Sequence, residues 1–416
     1  MSGRAGPDPR SRAVPVPVVL ARLLRRPGPA RGTSEEVSVA EALGRVAARS
    51  VRARRFLPPT PVATMDGFAV RSGPRAARER ARALRVVARS FPGTRSDRLP
   101  RVGAEDAVEI YTGAPLPPGA NAVVRAEDCR RAGDRVTILR AVAAGRNVAP
   151  PGEDFRPGQT IVAEDSCLRP WHVAALVANE ISRVRVRRPP RVALLSTGNE
   201  IEAGSGRLRP GRTRDSAKPL LRSMLLELGA EPVDLGIVPD RAGPIRRRAL
   251  AALRTCDALI TTGGSSIGAR DRVPEAIGGL ARVRWIAERL RLRPGSSTRV
   301  ATVGRRPVFV LSGPPVAAYA GFVALVAPFL RALGGVERSV PPPVAAMLAE
   351  AIPHAPGVRE LVRVRLSAAR PVARASVVER HGAGRLSSLT GADGLLVLDE
   401  RRGRYRKGER VDVTLL

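Results

Sequence analysis

A chain of 416 residues exceeds what one hydrophobic core organises, and its 44% hydrophobic content supplies several cores, with Ala, Val and Leu filling them because aromatics reach only 3%. The formal charge of +33 suggests a nucleic-acid binder, yet among 71 basic residues only Lys218 and Lys407 are lysines. That arginine skew follows the coding bias of a GC-rich genome, runs through every segment without interleaved aromatics for base stacking, and fits an anionic small substrate equally well, so no nucleic-acid partner is expected.

Residues 1–13 are rich in Gly, Pro and Arg and are expected to be disordered. Val16 to Arg25 reads as an amphipathic helix with Val18, Val19, Leu23 and Leu24 on its apolar side. The apolar patch around it is broken by Pro15, Pro17 and Arg22, which argues against a signal peptide. No run is read as a membrane span, so no membrane association and a cytoplasmic location are expected. Cys129, Cys167 and Cys256 are widely separated and form no C-x-x-C pair, so neither a disulfide framework nor a zinc site is suggested and a reducing compartment fits. Ser38 to Gly44 gives a second helical start, with Ser38 and Glu41 spaced as a capping box. Pro58 to Pro61 forces extended backbone before Thr64 to Val70, and residues 70–145 read as a small β domain. Its strands are expected at Val108 to Thr112, Ala122 to Arg125 and Arg135 to Leu139. Gly145 to Asp154 is a loop whose two final carboxylates, taken alone, cap a turn. A helix over Trp171 to Asn179 leads to a junction at Val184 to Pro190.

From Arg191 the pattern alternates between strand and helix. Strands are expected at Val192 to Gly198 and Pro232 to Val238, with helices at Pro219 to Leu228 and Ile245 to Leu253. The third strand opens Asp257-Ala-Leu-Ile-Thr-Thr-Gly-Gly-Ser-Ser-Ile-Gly-Ala-Arg-Asp271, then breaks at paired glycines and hydroxyls before a helical restart. Such a turn presents free backbone N–H groups at one point, where orphan amides and the helix dipole attract anions. Taken alone, its glycines favour an ordinary βα loop of a parallel sheet. Gly198, Asp240 and Gly263 would end their strands at one carboxyl edge, where open α/β sheets bind ligands. Glu200, Asp240 and Asp271 fall near that edge. A further strand at Val308 to Leu311 and a helix over Val316 to Leu333 precede a boundary at Pro341 to Pro343, and 344–416 read as a small all-β module.

Several motifs occur in one order: Thr64-Met-Asp-Gly-Phe-Ala-Val70, Tyr111-Thr-Gly-Ala-Pro-Leu-Pro117, Gly152-Glu-Asp154, Ser196-Thr-Gly-Asn-Glu200, Thr261-Thr-Gly-Gly-Ser-Ser-Ile-Gly268 with Asp271, and Arg380-His-Gly-Ala-Gly-Arg-Leu-Ser-Ser388. Together they resemble the molybdopterin molybdenumtransferase family, the relatives of the gephyrin E domain, from about Val16 to the C-terminus. The resemblance implies a multidomain α/β plus β fold. An elongated N-terminal domain would come from 14–58 and 146–187, and an inserted β domain from 59–145. A three-layer α/β domain of the molybdopterin-binding type would span 188–336, and a C-terminal β-barrel 337–416. It implies a homodimer with a site shared between subunits, an anionic pterin substrate, and insertion of molybdate into adenylylated molybdopterin with release of AMP, assisted by Mg²⁺. Whether a separate adenylyltransferase partner exists stays open.

Carried over residue by residue, the catalytic set falls on Asp66, Thr112, Asp154, Glu200, Asp240 and Asp271, with Glu200, Asp240 and Asp271 as metal ligands. Substrate contacts fall on Thr197, Gly198, Thr262, Gly263, Gly264, Ser265, Ser266, Gly268, Arg293, Arg359, Arg363 and Ser388. Hard Mg²⁺ prefers such oxygen donors, and arginine can clamp phosphate bidentately. The chain departs from the family at Asn147-Val-Ala149, where Asn-Val-Arg is usual, and at Arg293-Pro-Gly-Ser-Ser297, where Lys-Pro-Gly-Lys-Pro is usual. Ser312-Gly-Pro-Pro315 and Asp215-Ser-Ala217 depart as well, and the residues before Met65 lack the usual Asn-Ser. A working transferase, a non-catalytic molybdopterin-binding or scaffold paralogue, and a polyanion binder suggested by charge alone remain the three readings.

Overall fold

The computed structural model describes residues 13–25, 33–73, 82–264, 271–334, 342–369, 372–379 and 382–416. The expected disorder before Ala13, the contacts assigned to Ser265, Ser266 and Gly268, and the Arg380-His381 start of the last motif lie outside those residues.

The helix at Val16–Leu24 starts at Pro15 and buries Val16, Val19 and Leu23 in the core of the α/β region. Ser34–Ser38 pairs antiparallel with Arg183–Arg187, Val51–Arg52 with Thr160–Val162, and Val62–Ala63 with Val148–Ala149. These three pairings knit two distant stretches of chain together, around a cluster that includes Val39, Ala47, Leu168, Leu176 and Val186. The helix expected from Ser38 is corrected to one 3₁₀ turn, Val39–Glu41. Glu41 does accept from the Ser38 N–H and hydroxyl, but Gly44 and Ala47 then bond to Leu168 and Ser166, so neighbouring chain takes the amides a helix would need.

Between these stretches lies a six-stranded sheet ordered Ala122–Arg125, Gly67–Val70, Asp106–Ile110, Arg82–Ser90, Arg135–Ile138, Cys129–Ala132. Alternating residues feed a separate apolar cluster on each of its faces.

The α/β region carries a second six-stranded sheet, ordered Glu231–Val238, Arg191–Thr197, Ala258–Thr262, Arg306–Leu311, Arg299–Val303, Val283–Ala287. The first four strands are parallel and the last two antiparallel. Continuous apolar runs such as Ala258–Ile260 fit strands covered on both faces. One face packs on Ala217–Glu227 and the Pro315–Leu333 helical stretch, the other on Ala242–Thr255 and Val273–Gly278. The reading that no run reaches membrane-span length is corrected by Pro315–Leu333. It is 19 residues long and apolar enough, but 67% of its most apolar window is buried within the fold. A π turn at Phe322–Val326 interrupts it.

In the C-terminal region Arg359–Ser367, Ala373–Glu379, Val344–Leu348, Arg410–Leu415 and Gly394–Leu398 pair in sequence, and the last strand pairs back onto the first. The result is a closed five-stranded barrel filled by residues such as Leu348, Val362, Val364, Leu396 and Val413.

Candidate functional site

Parallel register sets the site. Arg191–Thr197 lies between Glu231–Val238 and Ala258–Thr262, pairing Thr197 with Val238 and Ser196 with Thr262, so all three strands end at the same edge. There the third strand turns through Gly263 at φ +84° and Gly264 at φ +62°. A Cβ on Gly263 would stand 2.3 Å from the Thr197 carbonyl oxygen, and one on Gly264 would stand 2.4 Å from Val273 Cγ2. Both positions therefore require glycine for conformation and for space. Thr197 Oγ1 lies 3.2 Å from either Cβ position, so this threonine forms the floor of the turn. The turn after Arg306–Leu311 is adjacent, since a Cβ on Gly313 would lie 3.5 Å from Gly263 Cα.

Asp240 and Asp271 flank this turn. Asp240 is tied to the neighbouring loop by reciprocal bonds with Asn199, at 3.2 and 3.3 Å. Asp271, with its side chain only 6% exposed, accepts from Val273 N–H and lies 3.5 Å from the Arg299 guanidinium. Burial pushes the Asp271 carboxyl up to about 6; the Asp240 carboxylate adds to the rise, while Arg299 and the Val273 N–H oppose it. The ion pair does not prevail because it is long and the carboxyl is desolvated. Arg299 Nε is buried and has no hydrogen-bond partner among the described residues.

Thr197, Gly198, Glu200, Asp240, Thr262, Gly263, Gly264 and Asp271 thus meet at one edge. The expected metal trio does not assemble, for among the described residues no three His, Cys, Asp or Glu side chains gather as a metal site. Glu200 instead folds back over Gly198, with its Oε1 2.9 Å from where a Cβ would stand on that residue. What remains is the pair Asp240 and Asp271, a donor set that suits Mg²⁺ held through one or two carboxylates with substrate oxygens completing its shell.

Asp66 and Thr112 form a second group, in the inserted sheet. The Thr112 hydroxyl and N–H each donate to Asp66 Oδ1 at 2.7 Å, and those two bonds hold the exposed Asp66 carboxyl below the usual range. Asp154 is exposed in its loop, with its N–H donating to Leu57. Among the described residues, no hydrogen bond or ion pair joins Asp66, Thr112 or Asp154 to the sheet edge.

The barrel contacts need correction. Arg363 is 1% exposed, and its Nη1 donates to the Leu361 carbonyl; it lies on the strand face of Leu361, which packs on the α/β core, opposite Val362 and Val364, which fill the barrel. Arg359 is engaged by Glu400 at 2.9 and 3.4 Å, which occupies the fork that would clamp phosphate. Ser388 is 4% exposed and its hydroxyl donates to the Arg385 carbonyl within its own turn. Arg293 is exposed and does face open space. With Arg289, Arg291, Ser296 and Gly357 it lines a cavity of about 410 Å³ between its loop and the barrel.

Sequence reading passed over a polar chain behind the edge. Thr262 Oγ1 donates to Ser196 Oγ at 3.1 Å, and Ser196 Oγ donates to Asp215 Oδ2 at 2.6 Å. Asp215 also accepts from the Lys218 N–H, and the Lys218 ammonium reaches Asp234 at 2.8 Å. The available signal was Lys218 itself, one of two lysines in a chain that otherwise uses arginine.

A doubly covered parallel sheet with a glycine turn and paired carboxylates at its carboxyl edge, preceded by a β insertion and followed by a barrel, defines a multidomain α/β protein whose turn lies where open α/β sheets bind ligands. Three family descriptions match in order: the MoeA N-terminal region (domains I and II) over residues 14–179, a probable molybdopterin binding domain over 193–332, and the MoeA C-terminal region (domain IV) over 345–416. The chain belongs to the MoeA family. It is 29% identical over 383 residues to the molybdopterin molybdenumtransferase of Staphylococcus aureus strain COL, covering 91% of this chain and 90% of that protein. It is 29% identical over 392 residues to the protein of the same name from Bacillus subtilis strain 168, covering 93% and 90%. The crystal structure of the molybdopterin biosynthesis moeA protein from Pyrococcus horikoshii OT3 superposes with a TM-score of 0.83 at 28% identity, covering 97% of this chain and all of that one.

Proposed function

We propose that this chain acts in molybdenum cofactor biosynthesis, inserting molybdate into adenylylated molybdopterin and releasing AMP. The observation that carries this reading is the two-glycine turn flanked by Asp240 and Asp271, at the edge where the sheet's strands end together. Main-chain amides at Gly263 and Gly264 hold the anionic end of the pterin substrate, while Thr197 keeps the turn in place beneath them. Asp240 and Asp271 would hold Mg²⁺, which when bound neutralises charge on the pyrophosphate link and the departing AMP. Burial of Asp271 excludes water from one side of that position.

The assembly proposed is a homodimer. Asp66 and Thr112 lie on the inserted sheet, apart from the edge, and would complete the site of a second copy. Trp171 and Val177, 66% and 62% exposed on the Pro170–Ala178 helix, leave apolar surface that a second copy would cover. The proposed location is the cytoplasm.

The test is AMP release from adenylylated molybdopterin in the presence of molybdate and Mg²⁺. Molybdate-dependent release supports a transferase. Tight pterin binding without release supports the second reading, a non-catalytic paralogue. That alternative is favoured by the enclosed Arg363 and by Ser296 and Ser297 in place of two charged or rigid residues.

A further inference from the structure

We propose that Asp215 and Lys218 are positioning residues which, through Ser196 and Thr262, fix the direction of the two-glycine turn; the assignment rests on the ligand site proposed above. Two successive left-handed glycines form a turn with little intrinsic preference for one path. Something outside it must hold it. Its floor, Thr197, is 2% exposed, and its hydroxyl donates to the Thr262 carbonyl at 3.5 Å, a contact too long to anchor the turn alone.

The shorter bonds run the other way, into the protein. From Thr262 Oγ1 to Ser196 Oγ is 3.1 Å, and from Ser196 Oγ to Asp215 Oδ2 is 2.6 Å. A carboxylate accepts and does not donate, so Asp215 commits the Ser196 proton to itself and leaves Ser196 to receive the Thr262 proton. Every hydroxyl in the chain then has one defined orientation. The order is imposed from one end, and it locks the ends of the two central strands together.

Asp215 is itself fixed. Its side chain is 6% exposed, its second oxygen accepts from the Lys218 N–H at 3.1 Å, and the Lys218 ammonium stands 3.9 Å from it. Lys218 is 10% exposed at its side chain and is anchored at its far side by Asp234, which also accepts from Gly236 N–H. A buried carboxylate with a buried counter-cation is costly to assemble unless both are hydrogen-bonded, and here both are. The Ala217–Glu227 helix thereby transmits its position to the glycine turn through Lys218 and Asp215.

The test uses the full chain and two conservative variants, Ser196→Ala and Asp215→Asn. Ser196→Ala cuts the chain, and Asp215→Asn lets the amide donate and so removes the imposed order. In both, hydrogen exchange of the segment ending in Gly263 and Gly264 should quicken by at least about tenfold in the ligand-free protein, while exchange elsewhere in the domain stays at the parent rate. AMP, titrated as the probe, should bind roughly tenfold more weakly to either variant. The double variant should bind no worse than Ser196→Ala alone, because the link is already broken. Unchanged exchange at the turn, a uniform rise across the whole domain, or losses that add in the double variant would each overturn the assignment. If the parent binds no AMP, the proposed ligand site fails, while the exchange measurement still decides whether the relay fixes the turn.

Discussion

Asp271→Asn should make the protein more stable at neutral pH, although it removes half of an ion pair. The carboxyl is raised from 3.8 to about 6, burial being the largest cause, so folding holds its charged form in a poor environment. A raised folded value means that Asp271 favours the fold fully below about pH 4. That contribution fades as pH rises through 6 and is a standing cost above it. A shift of about two units, which already includes the opposing pull of Arg299, corresponds to roughly 3 kcal/mol, and solvent screening reduces the net to about 1–2 kcal/mol. Asparagine stands in for the protonated carboxyl, keeping an oxygen to accept from Val273 N–H. Urea unfolding of parent and variant at pH 4 and pH 7.5 reads the difference. The variant should gain about 1–2 kcal/mol at pH 7.5 and almost nothing at pH 4. A variant less stable than the parent at pH 7.5, or a gap independent of pH, would show that Arg299 rather than burial governs this carboxyl. AMP release should be lost in the same variant, which makes the group one whose stability cost is retained for its charge.

Three further outcomes are expected. Mixing Asp66→Ala chains with Asp271→Ala chains should restore part of the activity if the two residue groups complete one site across a dimer, and a verified mixed dimer without activity would place the whole site within one chain. Arg363→Met should cost about 3 kcal/mol in urea unfolding, since it removes a buried donor from the Leu361 carbonyl, whereas an unchanged stability with weakened anion binding would return Arg363 to the ligand. Ser296→Lys places a cation at an exposed position on the cavity beside Arg293 and should tighten AMP binding by roughly tenfold at low salt, less at high salt, as measured by calorimetric titration.

The α/β region was legible because period, length and punctuation agreed there. Continuous apolar runs ended at Gly198, Asp240 and Gly263, and those ends do share an edge. The inserted sheet was legible as β but its order was not: the strands at Arg82–Ser90 and Asp106–Ile110 pair in parallel, a long-range choice that no local signal announces. The Ser38 turn failed as a helix for the same reason, with tertiary partners taking its amides. Among site residues, glycines and loop carboxylates were findable because turn chemistry demands them. Whether an arginine faces ligand or core depends on barrel register. Arg363 lies opposite Leu395 and Glu379, on the strand face of Leu361 that packs on the α/β core and not on the barrel-filling face of Val362 and Val364; both faces are buried, so apolar patterning in the sequence gave no sign of which one it took.

The substituted loops look different once their packing is known. Ala149 is 7% exposed and paired with Val62 in a short strand, so a long basic side chain at that position would start from a buried Cβ. Ser297 and Ser312 share a hydrogen bond at 2.7 Å, which joins the loop after Arg293 to the turn lying against Gly263. Two departures from the family pattern thus meet in one contact. Positive charge at the edge is supplied from the sheet itself, by Arg299 on an inner strand whose Nε is buried and without a partner among the described residues. A strand-borne guanidinium is more rigidly held than a loop lysine and offers a fixed fork instead of a mobile point charge. The edge thus keeps its acidic pair, with the Arg299 guanidinium 3.5 Å from Asp271. Arg299→Lys separates two roles: if Arg299 grips the anion, AMP affinity should fall by roughly tenfold with the fold intact. An unchanged affinity would confine Arg299 to holding Asp271.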